Sequence, residues 1–306
     1  MNTTNYSTDS LIPVCIRLTP DEYATVDYVF SVLSIIINLL TCPLVILLNT
    51  LFITAMGKKR SLQTTHNMLL ASMTGTDLAI GIGSQPIFVA QEIFLVAGGS
   101  LPVYCQLLVI QRETTSSLCL LSLLHLALIA VERLVAIKYS LRYDMVVTKF
   151  RRTVAVACCW IIMIVYWATW LLYRLIIPRL MFVIASFLVM VYCHVSIYFT
   201  CCRHEIQIKY AQVSSDANTK FLEERKAWKT TTIIIAGVSS SYLPGVISIL
   251  ALRNSPFLVL QRISFSSQPF YFSCFMLNLL LNPIIYCWRS RVIREAMLQL
   301  LRKQNI

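Results

Sequence analysis

The sequence predicts an all-α membrane protein: a bundle of seven transmembrane helices followed by a short amphipathic helix 8 on the cytoplasmic side. Its 306 residues are 57% hydrophobic and only 13% charged, far from the usual composition of soluble globular domains. Seven apolar segments each exceed the ~20 residues that a helix needs to cross a bilayer. Basic residues are concentrated on one side of these segments, which is typical of cytoplasmic loops.

The apolar segments follow one another along the chain, and prolines inside them are tolerated as kinks when neighbouring helices bind the freed carbonyls. We predict an N-terminal tail over residues 1–27, a transmembrane domain over 28–288, and the amphipathic helix with a short tail over 289–306. The predicted spans are Tyr28–Met56, Asn67–Val96, Tyr104–Ile137, Val154–Ile177, Leu180–Cys202, Trp228–Leu252 and Ile263–Trp288.

The distribution of positive charge predicts the orientation. Of the 26 basic residues, 20 follow the first, third, fifth and seventh segments. This places the N-terminus outside the cell and the C-terminus in the cytoplasm, in a multi-pass plasma-membrane protein. Glycosylation sequons at Asn2 and Asn5 fit an extracellular tail. The net charge of +12 is therefore a signal of topology and needs no nucleic-acid partner.

Two of the eleven cysteines, Cys15 and Cys105, fall in segments that we place outside the cell. Disulfides form in such oxidising surroundings. A bridge between these two residues and a pair of unpaired thiols both remain open.

Polar residues near the middle of the membrane are costly. Asp77 lies about ten residues into the second segment, hence ~15 Å deep, and Ser122 has a similar depth in the third. A carboxylate there costs at least ~2.5–3.5 kcal/mol, so it must face the bundle interior and have partners. Asp77 is either a protonated acid with one structural hydrogen bond, or part of a small-cation or protonation site shared with Ser122, Asn278 and Asn282.

The third segment ends in the sequence Glu132-Arg133-Leu134, and a basic loop follows. An arginine at the membrane edge can extend its charge into the headgroups. Glu132 gains nothing from the bilayer. Its place beside Arg133 therefore favours an ion pair between the two residues, with a switching role.

The order of these motifs resembles that of rhodopsin-like (class A) G protein-coupled receptors over about residues 25–302. The resemblance is carried by Asn49 in LLNTLFI, Asp77 in LLASMTGTDL, Glu132-Arg133-Leu134, Trp160, Pro244 and the NPIIY run from Asn282 to Tyr286. It implies that Asp77, Ser122, Asn278 and Asn282 bind an allosteric Na⁺ ion, with Asp77 as the charged ligand. It also implies a set of activation residues: Glu132, Arg133, Glu224, Tyr192, Tyr242, Pro244, Asn282, Pro283 and Tyr286.

The chain also departs from the family pattern. Tyr242 occupies the place of the usual tryptophan in the sixth span. Only Pro178 and Arg179 clearly separate the fourth and fifth segments, and that short loop carries no cysteine to pair with Cys105. A vestigial second loop of this kind is similar to the melanocortin, adenosine and cannabinoid branch.

The ligand is an extracellular small molecule, lipid or peptide. Retinal is not expected, because Met276 stands where retinal-binding relatives need a lysine. Thr115 stands where amine receptors have an aspartate. The candidate ligand contacts are Arg112, Glu113 and Thr115, near the predicted outer mouth.

Two function classes follow from these observations. The first is a receptor that couples an outside ligand to a heterotrimeric G protein. The alternative is a seven-helix transporter or channel for ions or small solutes, with Asp77, Glu113 and Glu132 along the path. No nucleophile–base pair or metal-spaced histidine set is present in the sequence, so an enzyme is not expected.

Overall fold

A computed structural model describes residues 28–139, 142–173, 177–210, 228–229, 232–233, 236–237 and 257–303. Within these ranges the chain is helical apart from short turns, and it contains no strand. Six of the described helices are long and apolar enough to cross a membrane. The predicted all-helical membrane fold is thereby confirmed. Most of the predicted sixth span, Trp228–Leu252, lies outside the described residues.

Short segments of other helix types lie among the first two spans. A 3₁₀ turn at Arg60–Leu62 follows the first helix, and a π-helical segment at Ile80–Ser84 interrupts the second span. In chain order the α-helices are α1 (Tyr28–Lys58), α2 (Thr65–Ala79), α3 (Gln85–Val96), α4 (Leu101–Lys138), α5 (Tyr143–Val146), α6 (Lys149–Tyr173), α7 (Ile177–Tyr210), α8 (Phe257–Arg289) and α9 (Arg291–Lys303).

The break between the fourth and fifth spans differs from the prediction. Pro178 and Arg179 do not form the connection; they lie in the first turn of α7, which begins at Ile177. Proline is favoured there because the first N–H groups of a helix have no intrahelical partner. The sequence pattern placed the break too late because a proline usually marks a helix boundary.

Helix α4 lies at the centre of the bundle and packs against α2, α3, α6 and α7. Helix α1 packs against α8 and against the second span. Polar side chains join these neighbours inside the membrane. Asn49 Nδ2 donates to the Leu279 carbonyl at 3.3 Å, and Asn38 Nδ2 donates to Ser273 Oγ at 2.8 Å. Gln85 Nε2 extends the second contact by donating to Asn38 Oδ1 at 3.0 Å.

Helix α9 follows the last span after a single residue, Ser290. Its Ile293, Ala296 and Met297 are buried against the hydrophobic core at the inner end of the bundle. The sequence pattern predicts one apolar face toward the membrane, formed by Val292, Ile293, Ala296, Met297, Leu300 and Leu301. Of these residues, Val292 and Leu301 are exposed. The amphipathic helix therefore anchors through its central turns.

The second span contains a wide turn that the sequence analysis did not foresee. The Gln85 N–H donates to the Ile80 carbonyl, five residues earlier. The Cys42 thiol donates to the Gly81 carbonyl, with 3.4 Å between Sγ and the oxygen. A Cβ atom built on Gly81 would lie 2.8 Å from Val45 Cγ1. The absence of a side chain at Gly81 thus lets α1 approach this turn closely.

We expect Gly81→Ala to lower the thermal stability of the purified protein. Val45 is fully buried and β-branched, so it cannot rotate away at low cost. Overpacking of this kind costs about 1–3 kcal/mol. Gly83→Ala is the matched control, because no described atom lies within 4 Å of a Cβ built there. An equal loss in melting temperature for both variants would contradict the close approach at Gly81.

Candidate functional site

The inner end of α4 holds a buried ion pair between adjacent residues. Glu132 and Arg133 are each only 4% exposed. Arg133 Nε donates to Glu132 Oε2 at 2.5 Å, and Arg133 Nη2 donates to Glu132 Oε1. The contact predicted from the sequence is therefore present. A buried pair needs further hydrogen bonds to offset the loss of hydration, and removal of one partner leaves an uncompensated charge.

Two residues that the sequence analysis missed complete the surroundings of Glu132. The Tyr143 hydroxyl on α5 donates to Glu132 Oε1. His66 Nδ1, at the start of α2, lies 3.4 Å from Glu132 Oε2, within ion-pair distance when the ring is protonated. The carboxylate therefore connects α2, α4 and α5. Both residues are polar and flank apolar spans, but nothing in their local pattern identified Glu132 as the partner.

A second buried acid lies deeper in the bundle. Asp77 is fully buried, and Asn282 Nδ2 donates to Asp77 Oδ2 at 2.8 Å, which joins α2 to α8. Asp77 Oδ1 has no hydrogen-bond partner among the described residues. Ser122 and Asn278, the other predicted ligands, are also buried. A small hard cation prefers oxygen ligands and would fit this combination of an unpartnered carboxylate oxygen with neutral polar side chains.

His125 is a buried polar residue that the sequence analysis did not assign to a site. Its Nδ1 lies 2.9 Å from the Leu121 carbonyl, so this nitrogen carries the proton. Nε2 then accepts from Ser72 Oγ at 2.9 Å. The neutral ring joins α4 to α2, the helix that also carries Asp77. In the described part of the chain, no group of three or more His, Cys, Asp or Glu residues could hold a metal ion.

The predicted tyrosine pair is divided between two environments. Tyr286 is 1% exposed, and its ring centroid lies 4.9 Å from that of Phe52. Tyr192 is 65% exposed on α7, while Cys193 beside it is buried. Tyr192 therefore does not join the other activation residues in this structure. Pro283 lies inside α8, between Asn282 and Tyr286.

The candidate ligand contacts lie toward the other end of α4. Arg112 Nε is 3.4 Å from Glu113 Oε1, and the Glu113 side chain is 5% exposed. Thr115 Oγ1 donates to the Gln111 carbonyl at 2.7 Å and also contacts Ser84 Oγ. These bonds give Thr115 a structural role between α4 and the second span.

Cys105, near the start of α4, is disulfide-bonded, and the other nine cysteines of the described residues are not in disulfides. The pairing with Cys15 stays a prediction, because Cys15 lies outside the described residues. The same holds for Glu224, Tyr242 and Pro244 of the sixth span and for the sequons at Asn2 and Asn5.

We expect Tyr143→Phe to destabilise the inner end of the bundle. Burial and the nearby Glu132 carboxylate raise the pKa of Tyr143, so the phenol keeps its proton and remains a donor. A hydrogen bond to a charged group contributes about 1.5–3 kcal/mol. Thermal unfolding of the purified protein measures the loss, and Tyr139→Phe, at a half-exposed ring four residues away, is the control. Equal melting temperatures for the two variants would exclude a stabilising role for the Tyr143 hydroxyl.

Comparison with known proteins finds similarity to a family of membrane receptors. Residues 48–176 match the 7 transmembrane receptor (rhodopsin family). Human adenosine receptor A2a is 28% identical over 142 residues, which cover 46% of this chain and 30% of that receptor's length. The matched region includes the paired Glu132 and Arg133 as well as Asp77. Over residues 48–176 the chain is therefore similar to the rhodopsin-like (class A) family of seven-transmembrane receptors.

Proposed function

We propose that this multi-pass plasma-membrane receptor couples an extracellular ligand to a cytoplasmic heterotrimeric G protein. The single observation that supports this most is the buried Glu132–Arg133 pair, held from two other helices by Tyr143 and His66. Such a pair is stable only while all its partners stay in place. A ligand that favours a different helix arrangement would therefore release Arg133 toward the cytoplasm.

The orientation with the N-terminus outside is supported by the basic residues around this end of the bundle. Lys58 ends α1, Lys59 and Arg60 follow it, and Lys149, Arg151 and Arg152 lie in the first turn of α6. They lie at the same end as the Glu132–Arg133 pair. By the positive-inside rule this end faces the cytoplasm, where a G protein binds. The ligand then enters from the end that carries Cys105 and Glu113.

The ligand belongs to one of three classes: a small molecule, a lipid or a peptide. The residues that match the receptor family, 48–176, include Arg112 and Glu113 of α4, which form an ion pair. In this proposal Glu113 is a ligand contact, and Arg112 Nε lies 3.4 Å from its Oε1 atom. Thr115 acts indirectly, because its hydroxyl is bonded to Gln111 and Ser84.

An allosteric Na⁺ ion is part of the proposal. Asp77, Ser122, Asn278 and Asn282 would hold it, and the ion would supply the positive charge that a buried carboxylate needs. The unpartnered Asp77 Oδ1 supports this proposal. Asn282 orients the other carboxylate oxygen, so that Asp77 connects α2 and α8 with or without the ion.

The activation proposal is tested with a promiscuous G protein readout across a ligand library. Arg133→Ala should abolish signalling while surface expression is kept. Glu224→Ala should raise ligand-independent signalling, because it would shift the equilibrium between the resting and the active receptor. A bias of about 1.4 kcal/mol changes the ratio of two such states tenfold. Glu223→Ala is its neighbouring control. Full signalling by Arg133→Ala would contradict the proposal, and ion flux lost in Asp77→Asn would favour the transporter alternative.

The sodium proposal is tested without any ligand. Replacing K⁺ by Na⁺ should raise the melting temperature of the purified parent, because an ion that binds only the folded state stabilises it by mass action. At an ion concentration of about ten times Kd, the expected gain is about 1.4 kcal/mol. The gain should vanish in Asp77→Asn and persist in Glu295→Gln, at an exposed residue of α9. The same gain in parent and Asp77→Asn would rule out this site.

A further inference from the structure

A groove opens on the lateral surface of the bundle, which faces away from the bundle interior, where α4, α5 and α6 meet. It has a volume of about 210 Å³ and an almost entirely apolar lining. Val131 and Val135 of α4 form one side, and Val147 forms the other. Val131 is 38% exposed, so the groove is open toward the surroundings of the bundle. In a membrane-spanning protein this surface faces lipid.

The rim of the groove carries positive charge. Arg151 and Arg152, in the first turn of α6, both line it. Arg151 Nη1 donates to the Val146 carbonyl at 3.0 Å, which fixes the side chain against the end of α5. A guanidinium has five N–H donors, so most of them stay available for an anionic group. The N-terminus of α6 adds the partial positive charge of its helix dipole to the same place.

We propose that this groove is a binding site for an anionic phospholipid of the cytoplasmic leaflet. One acyl chain lies against Val131, Val135 and Val147, and the phosphate group is bound by Arg151 and Arg152. The apolar lining corresponds to the acyl chain of a phospholipid, and the charged rim corresponds to its headgroup. Basic residues at the cytoplasmic surface attract anionic lipids in this way. The proposal rests on the orientation given above, which places this end of the bundle in the cytoplasm.

The groove also borders the Glu132–Arg133 pair. Glu132 contributes to its wall, and α5, which supplies Tyr143 to Glu132, forms one of its edges. A phospholipid in the groove would therefore contact α4 and α5, two of the helices that hold the acid, and also α6. This position distinguishes it from lipids that line the rest of the bundle without specific contacts.

The test uses the full chain in nanodiscs of phosphatidylcholine that contain a phosphatidylserine probe with a photoreactive group at the end of an acyl chain. Mass spectrometry of the cross-linked peptides should place the label on the α4 peptide that contains Val131 and Val135 or on the α5–α6 peptide that contains Val147. Labelling should exceed that by the equivalent phosphatidylcholine probe on the order of tenfold, given two arginines at the headgroup. Equal labelling by both probes would overturn the proposal.

Variants separate this groove from general surface charge. Arg151→Gln with Arg152→Gln should reduce the labelling to the phosphatidylcholine level. Arg294→Gln with Arg302→Gln removes the same charge from exposed positions on α9 and should leave the labelling unchanged. An equal reduction in the two double variants would overturn the site.

Occupancy of the groove itself is tested with Val131→Trp, which fills it from its exposed edge and should abolish the label. Labelling that persists in this variant would place the lipid elsewhere. Free phosphate serves as a competitor, and displacement of the probe by phosphate alone would show that the rim binds an anion without the chain. None of these measurements requires G protein activation, so failure of the lipid site and failure of the proposed receptor function are recognised separately.

Discussion

The low dielectric of the membrane interior is the constraint on which the rest of this structure depends. A polar side chain inside hydrocarbon has no water to bind, so it must find its partner on another helix or on its own backbone. Asn49, Asn38 and His125 each meet this requirement with hydrogen bonds to a neighbouring helix. The costly polar groups thereby become the contacts that fix which helices are neighbours. Apolar packing alone would not choose among neighbours, because lipid chains are equally apolar.

The two buried acids meet the same constraint in different ways. Glu132 accepts hydrogen bonds from Arg133 and Tyr143, and His66 Nδ1 lies 3.4 Å from its carboxylate. Asp77 has one donor, Asn282, and an oxygen without a partner in the described part of the bundle. The first acid is therefore held by protein contacts that a change in helix position can break. The second keeps one carboxylate oxygen without a hydrogen-bond partner among the described residues.

Much of this could be predicted from the sequence, because hydropathy and membrane depth act over short stretches of chain. The apolar runs identified the described spans, and depth along the helix identified Asp77 as an interior acid. Tyr143 and His66 could not be identified as partners of Glu132, because that contact joins three separate segments. The start of α7 was misplaced for a local reason: Pro178 is equally compatible with a loop and with a first helical turn.

The wide turn at Ile80–Ser84 affects how this chain is aligned with its relatives. An α-helix rotates by about 100° per residue, so one extra residue in a turn rotates everything beyond it by that amount. Side chains from Gln85 to Val96 are therefore rotated by one residue's turn from the directions that an uninterrupted α-helix running on from Asp77 would give them. A homology model built on a relative without this turn would therefore direct the wrong residues of α3 toward the interior of the bundle.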